Sequence, residues 1–129
     1  MKRVLIALVA LVAFSSQAAF AGAPNMLEGK TFQGEIKNAG HEKPDPDTFI
    51  FKDGNFRSTA CDQYGYTSAP FHAMESPGKT GFTATTKNTH GATISWDGWM
   101  KGDELGGTAV MTDDKGKKTD MTFHGTLHR

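Results

Sequence analysis

The sequence predicts an all-β domain, a single small up-and-down antiparallel barrel of about eight strands. Three observations carry this. The stretch Asp47–Tyr66 (DTFIFKDGNFRSTACDQYGY) holds two alternating runs, with Phe49 and Phe51 before Asp53-Gly54 and Phe56 after it. An Asp-Gly pair between alternating runs marks a tight hairpin, because that turn needs positive φ and Gly adopts it without a Cβ penalty. The same strand–turn–strand order recurs to the C-terminus. No stretch after Ala21 combines helical periodicity with caps.

The first 21 residues stand apart from this pattern. Lys2 and Arg3 make a basic start, Val4 to Phe14 an apolar run, and Ala19-Phe20-Ala21 a small-x-small cleavage site, which together read as a secretory signal peptide. The apolar run falls short of the roughly 20 residues that a membrane-spanning helix takes. No cysteine follows the cleavage site to carry a lipid. The expected organisation is therefore a signal peptide over 1–21 and a β-barrel domain over 22–129, in a periplasmic or secreted protein with no membrane span.

Taken in order, Lys30–Lys37 alternates, with Phe32, Gly34 and Ile36 on one face, as a half-buried strand does. Asn38–Pro46 is a loop by composition. The Asp53-Gly54 hairpin follows, its second strand running into Cys61, and then comes the aromatic loop Tyr64-Gly65-Tyr66. Thr67–Met74 is the next strand, and Pro70 in it marks an edge, a bulge or a strand start. Glu75–Gly78 is a turn. Thr80–Thr86 sets Phe82 and Ala84 against Thr83 and Thr85. After a turn at Lys87–Gly91, Ala92–Lys101 carries Ile94 and Trp96 in register, with a bulge or close backbone approach at Gly98. Glu104–Thr112 follows the Gly102-Asp103 turn. Past Asp113–Gly116, Thr119–His128 closes the chain with Met121, Phe123, Gly125 and Leu127 on one face. Evenly spaced strands with short turns suggest a sandwich or a barrel; closure removes the exposed edges, and eight strands suit a small soluble barrel.

Charge excludes one class of partner. Without Lys2 and Arg3 the 14 basic residues fall to 12 against 14 acidic ones, a net −2, and no basic face is present for nucleic acid. The single cysteine, Cys61, has no partner for an intrachain disulfide.

The patterns FxFKDGxFxSxxCDxYG, APFxA, ISWxGxMKGDELGGTAVM and TFHGTL resemble small exported bacterial proteins of unassigned function with a lipocalin-like, or calycin-like, meander barrel. The resemblance runs from about Leu27 to Leu127 and carries no catalytic motif. It departs from lipocalins and avidins proper, whose first strand holds a Gly-x-Trp signature. Here that strand has Phe32, and the tryptophans come late, at Trp96 and Trp99. Neither a ligand nor a site residue transfers from those families.

Each chemistry-bearing residue has a functional and a purely structural role open to it. Cys61 is either a redox thiol, a metal ligand or a point of intermolecular disulfide formation, or else a small buried residue at a strand end. Its neighbour Asp62 opposes a thiolate, which favours burial and a monomer over a dimer disulfide-linked through Cys61. His124 and His128 have the i, i+4 spacing that binds zinc on a helix, but on a strand they stand ~13 Å apart, too far to share an ion. No metal site and no cofactor is expected. Nucleophile-elbow, zinc-protease and phosphate-loop motifs are absent, so the expected function is non-catalytic. Phe49, Phe51, Phe56, Phe71, Trp96 and Phe123 fall on one strand face, where they either line a cup for a small apolar ligand or fill the barrel solidly. Tyr64, Tyr66 and Trp99 fit neither face and suggest a mouth or a patch for a partner. Two functions follow: a binding module for a small apolar molecule or protein partner, or a structural or interaction protein of the envelope with a solid core. Interior volume separates them.

Overall fold

Eight antiparallel strands, each paired with its neighbour in sequence, close into one barrel where the last pairs with the first. The computed structural model describes residues 25–129; the signal peptide expected over 1–21 and its cleavage site lie outside them. The strands are β1 (Thr31–Asn38), β2 (Asp45–Lys52), β3 (Asn55–Ser58), β4 (Ala69–Ser76), β5 (Lys79–Lys87), β6 (Thr93–Lys101), β7 (Glu104–Thr112) and β8 (Lys118–Leu127). The β2–β3 hairpin turns at Asp53-Gly54 with both residues at positive φ, 55° and 79°, as a two-residue turn of matching twist requires.

Alternation sorts the wall into a dry and a wet side. On β5 Thr80, Phe82, Ala84 and Thr86 point inward and are buried, while Thr83 and Thr85 are exposed. On β6 the inward set is Ile94, Trp96, Gly98 and Met100. The register of β6 runs unbroken past Gly98 on both sides, so of the two expectations there the bulge is absent and the close approach is present. A Cβ on Gly98 would stand 2.5 Å from the Phe82 ring and 2.8 Å from both the Phe123 ring and the Gly106 carbonyl oxygen. Two core rings rest against this bare stretch of backbone.

Three elements differ from the expected pattern, the first being β2, which starts at Asp45 inside the expected Asn38–Pro46 loop. Strand β3 stops at Ser58, and Cys61 lies in a 3-10 turn over Thr59–Tyr64 rather than on the strand. The cause is the buried Asp47 carboxylate of β2, which accepts hydrogen bonds from the Ala60 amide at 2.9 Å and from the Ser58 hydroxyl, drawing the chain out of the ladder. Strand β4 runs on to Ser76, leaving only Pro77 and Gly78 for the turn, and Pro70 is its second residue.

The two ends of the barrel are unlike. One carries the tight turns at 53–54, 77–78 and 102–103 and is stoppered by the N-terminal segment. There Leu27 is fully buried, and the Glu28 carboxylate accepts the Asp53 and Gly54 amides at 2.6 and 2.9 Å. The other end carries the longer connections, 39–44, 59–68, 88–92 and 113–117. We call it the open end.

Candidate functional site at the open end

The centre of the barrel is aromatic. Phe49 on β2 and Trp96 on β6 belong to opposite staves, yet their rings meet with centroids 6.4 Å apart. Phe56 and Phe123 also pack on Trp96, at 4.9 and 5.3 Å. Phe51 touches Phe71 at 5.1 Å and Phe82 at 5.0 Å. Rings that touch across a diameter leave no bore between them. Phe49, Phe51, Phe56, Phe71, Trp96 and Phe123 are thus brought together, as expected, but against one another and at most 8% exposed. Their packing is that of the solid core among the two arrangements the sequence allowed. The indole N–H of Trp96 donates to the Thr86 hydroxyl at 3.0 Å, which satisfies the one buried donor in that cluster.

Space lies instead at the open end. A depression of about 440 Å³ is floored by Ile36, Cys61, Tyr66, Ile94, Met111 and Met121, and rimmed by Asn38, Asp45, Gln63 and Tyr64. A second depression adjoins it beyond the Tyr64–Tyr66 loop, and Gln63, Tyr64, Tyr66 and Met111 line both. The floor comes from inward residues at the open ends of β1, β6, β7 and β8. The 3-10 turn lays Cys61 over the remaining side.

Polar groups behind this floor are tied together. Asp47 is 5% exposed; it accepts the Thr48 amide at 2.7 Å within its own strand, and its bonds from Ser58 and Ala60 link β2 to the 3-10 turn. Burial raises its carboxyl above the usual range, outweighing the hydrogen bonds that pull the other way. The Ser58 hydroxyl lies 3.4 Å from the Cys61 sulfur. Burial, with the charges of Asp47 and Asp62 added, pushes the Cys61 thiol up to about 11, and the contact with Ser58 offsets only part of this. The thiol is neutral at physiological pH and a poor nucleophile or soft-metal ligand. Arg57 pairs with Asp62 through two hydrogen bonds and clamps the turn from outside.

Tyr66 differs from its neighbours. Its side chain is buried, the residue being 6% exposed, and its hydroxyl is, among the described residues, the buried side-chain N or O atom with no hydrogen-bond partner. Tyr64, two residues earlier, is 63% exposed at the rim. Trp99 is far from both, outward-facing near the stoppered end, where its indole covers Gly106. The expected trio of Tyr64, Tyr66 and Trp99 is therefore not one patch, because Trp99 is one residue out of phase with the inward Gly98 and Met100. His124 is exposed on the outer wall and pairs with Glu35 at 2.9 Å, and His72 lines a separate outer groove with Thr83 and Lys87. Among the described residues no group of three His, Cys, Asp or Glu is placed to hold a metal ion, and no helix is long and apolar enough to cross a membrane.

Sequence alone does not mark Ile36, Ile94, Met111 and Met121 of the floor, or Asp47 behind it, as site residues. Their signal was there: each apolar one is an inward residue near a strand end that borders a long connection. Comparison with protein-family models, curated proteins and solved structures finds no match for this chain.

Proposed function

We propose that this chain is an exported, non-catalytic binding module with a lipocalin-like meander barrel, and that it takes a small apolar molecule at the open end rather than in the barrel centre. The observation that carries this is the concave apolar floor of Ile36, Ile94, Met111 and Met121 set beside one unpartnered hydroxyl. Small-molecule sites are usually concave with an apolar lining and a few polar groups, and about 440 Å³ falls in their size range. Here the apolar floor is joined by a polar rim of Asn38, Asp45, Gln63 and Tyr64. The neutral thiol of Cys61 and the outward histidines support a role without catalysis.

The filled aromatic centre favours a second reading, an envelope structural or interaction protein that holds no ligand. A titration with the neutral fluorescent probe N-phenyl-1-naphthylamine, followed by amide NMR, decides between the two. Enhanced fluorescence with shifts at Ile36, Ile94, Met111 and Met121 supports the binding module. Saturating probe with no shift at those positions supports the structural reading.

A further inference from the structure

We infer that the open end selects a neutral apolar molecule whose polar end is a hydrogen-bond acceptor, held by the Tyr66 hydroxyl, and rejects carboxylates of the same length. This rests on the proposed binding module and names its ligand class. A buried hydroxyl left unpaired costs roughly 1–3 kcal/mol, so an unpartnered one beside a cavity points to a group that completes it. Tyr66 lines both depressions of the open end, and its hydroxyl has under 1 Å² exposed, so an incoming acceptor reaches it by displacing the side chains that cover it. The other buried polar groups nearby are already engaged. Asp47 accepts from Ser58, Ala60 and Thr48, the Ser58 hydroxyl also contacts the Cys61 sulfur, and the Trp96 N–H donates to Thr86. That leaves one phenolic donor, beside the weakly donating Cys61 thiol, on a floor otherwise made of Ile36, Ile94 and methionine side chains.

The charges set the exclusion. No lysine or arginine lines the depression, Asp45 stands on its rim, Asp47 is buried behind Cys61, and Asp62 lines the adjoining hollow. A carboxylate entering the depression meets no lysine or arginine and is opposed by Asp45 and Asp47, while Asp62 of the adjoining hollow is already paired with Arg57. An unpaired buried charge is far costlier than an unpaired neutral dipole. A ketone, ester or ether oxygen meets neither penalty. Tyrosine presents its O–H as donor to such an oxygen.

The test compares 2-nonanone, nonanoate and nonane on the purified protein and on Tyr66→Phe, by amide NMR titration and by the infrared carbonyl stretch of the bound ketone. Tyr66→Phe removes a hydroxyl that has no partner, so it should fold and melt at or above the wild-type temperature. The ketone should bind at the open end and weaken roughly three- to tenfold in Tyr66→Phe, the worth of one neutral hydrogen bond. Its carbonyl stretch should fall in frequency on the wild type and not on the variant. Nonane should bind both proteins alike, and nonanoate roughly tenfold or more weaker than the ketone. A ketone affinity and stretch indifferent to Tyr66, or nonanoate binding as well as the ketone, overturns the inference while nonane at the open end keeps the binding module. Failure of both nonane and ketone to shift the open-end resonances overturns the two together.

Discussion

Asp47, Ser58 and Cys61 form a chain of buried polar contacts whose protonation feeds back on stability. The Cys61 thiol is raised from its ordinary 9.0 to about 11, so the unfolded chain ionises first as pH climbs. Its contribution is therefore complete below pH 9 and is lost between about 9 and 11, by at most roughly 3 kcal/mol. Urea titrations at pH 7 and pH 11 should show this loss in the wild type, and Cys61→Ser should show less of it; an equal alkaline loss in both would assign it elsewhere. At pH 7 Cys61→Ser should itself be mild, costing roughly 1–3 kcal/mol if the new hydroxyl finds no partner. Asp47 has the same sign at the acid end. Its carboxyl is raised, so the stability tied to its protonation is present below 3.8 and is lost as pH rises through the folded value. Asp47→Asn should be tolerated, since its amide oxygen can still accept the Ala60 and Thr48 amides, whereas Asp47→Ala strands both and should cost roughly 1–3 kcal/mol. Equal melting temperatures for the two variants would remove Asp47 from its place as the anchor of the turn.

Among the elements, β3 is the weak stave. It has four residues, and its pairing with β4 is confined to Asn55–Pro70 and Phe56–Ala69, while β6 pairs from Thr93 to Met100 on both sides. Amides of residues 59–69 should exchange with solvent well before those of β6, β7 and β8, because few ladder bonds hold them. Uniform protection around the barrel would contradict this. Gly98 is the opposite case, a position inside the tightest part of the wall. Gly98→Ala drives a methyl into two core rings and a carbonyl oxygen and should cost roughly 1–3 kcal/mol or more, read from urea midpoints. The inward faces of β1, β5, β6 and β8 were legible in the chain because each wall has one wet and one dry side, so Phe32 and Ile36, Phe82 and Ala84, Ile94 and Trp96, and Met121 and Phe123 keep a period of two. The end of β3 was not, because it depends on a carboxylate more than ten residues upstream. Alternation also fixes a face and not a distance: it places Phe49 and Trp96 inside without saying that they touch. Tyr64 and Tyr66 look alike in sequence, and the 3-10 turn with Gly65 at φ 87° sends one to the rim and the other into the floor.

At the scale of the whole molecule, the β1–β8 ladder joins the two ends of the domain, from Phe32–Leu127 to Asn38–Met121, and leaves no edge strand. The aromatic cluster then ties opposite staves through the centre. Phe49→Ala or Phe123→Ala should cost roughly 3–5 kcal/mol, whereas Thr83→Ala and Thr85→Ala on the wet side of β5 should stay within about 0.5. Comparable losses in both classes would reverse the assignment of the inward face. Closure and cluster together imply that the barrel cannot lose one stave and keep the rest. Trp96, 1% exposed at the centre, reports the core by fluorescence, and far-UV circular dichroism reports the ladders. In urea the two signals should fall in one coincident transition, as in small cooperative domains. Refolding should be slow, on the order of milliseconds to seconds, because the closing ladder pairs residues from opposite ends of the domain. If instead the fluorescence transition comes first and the β signal persists, the sheet holds together without its packed centre. The cohesion of the barrel would then belong to the ladders, and the aromatic cluster would be filling rather than tie.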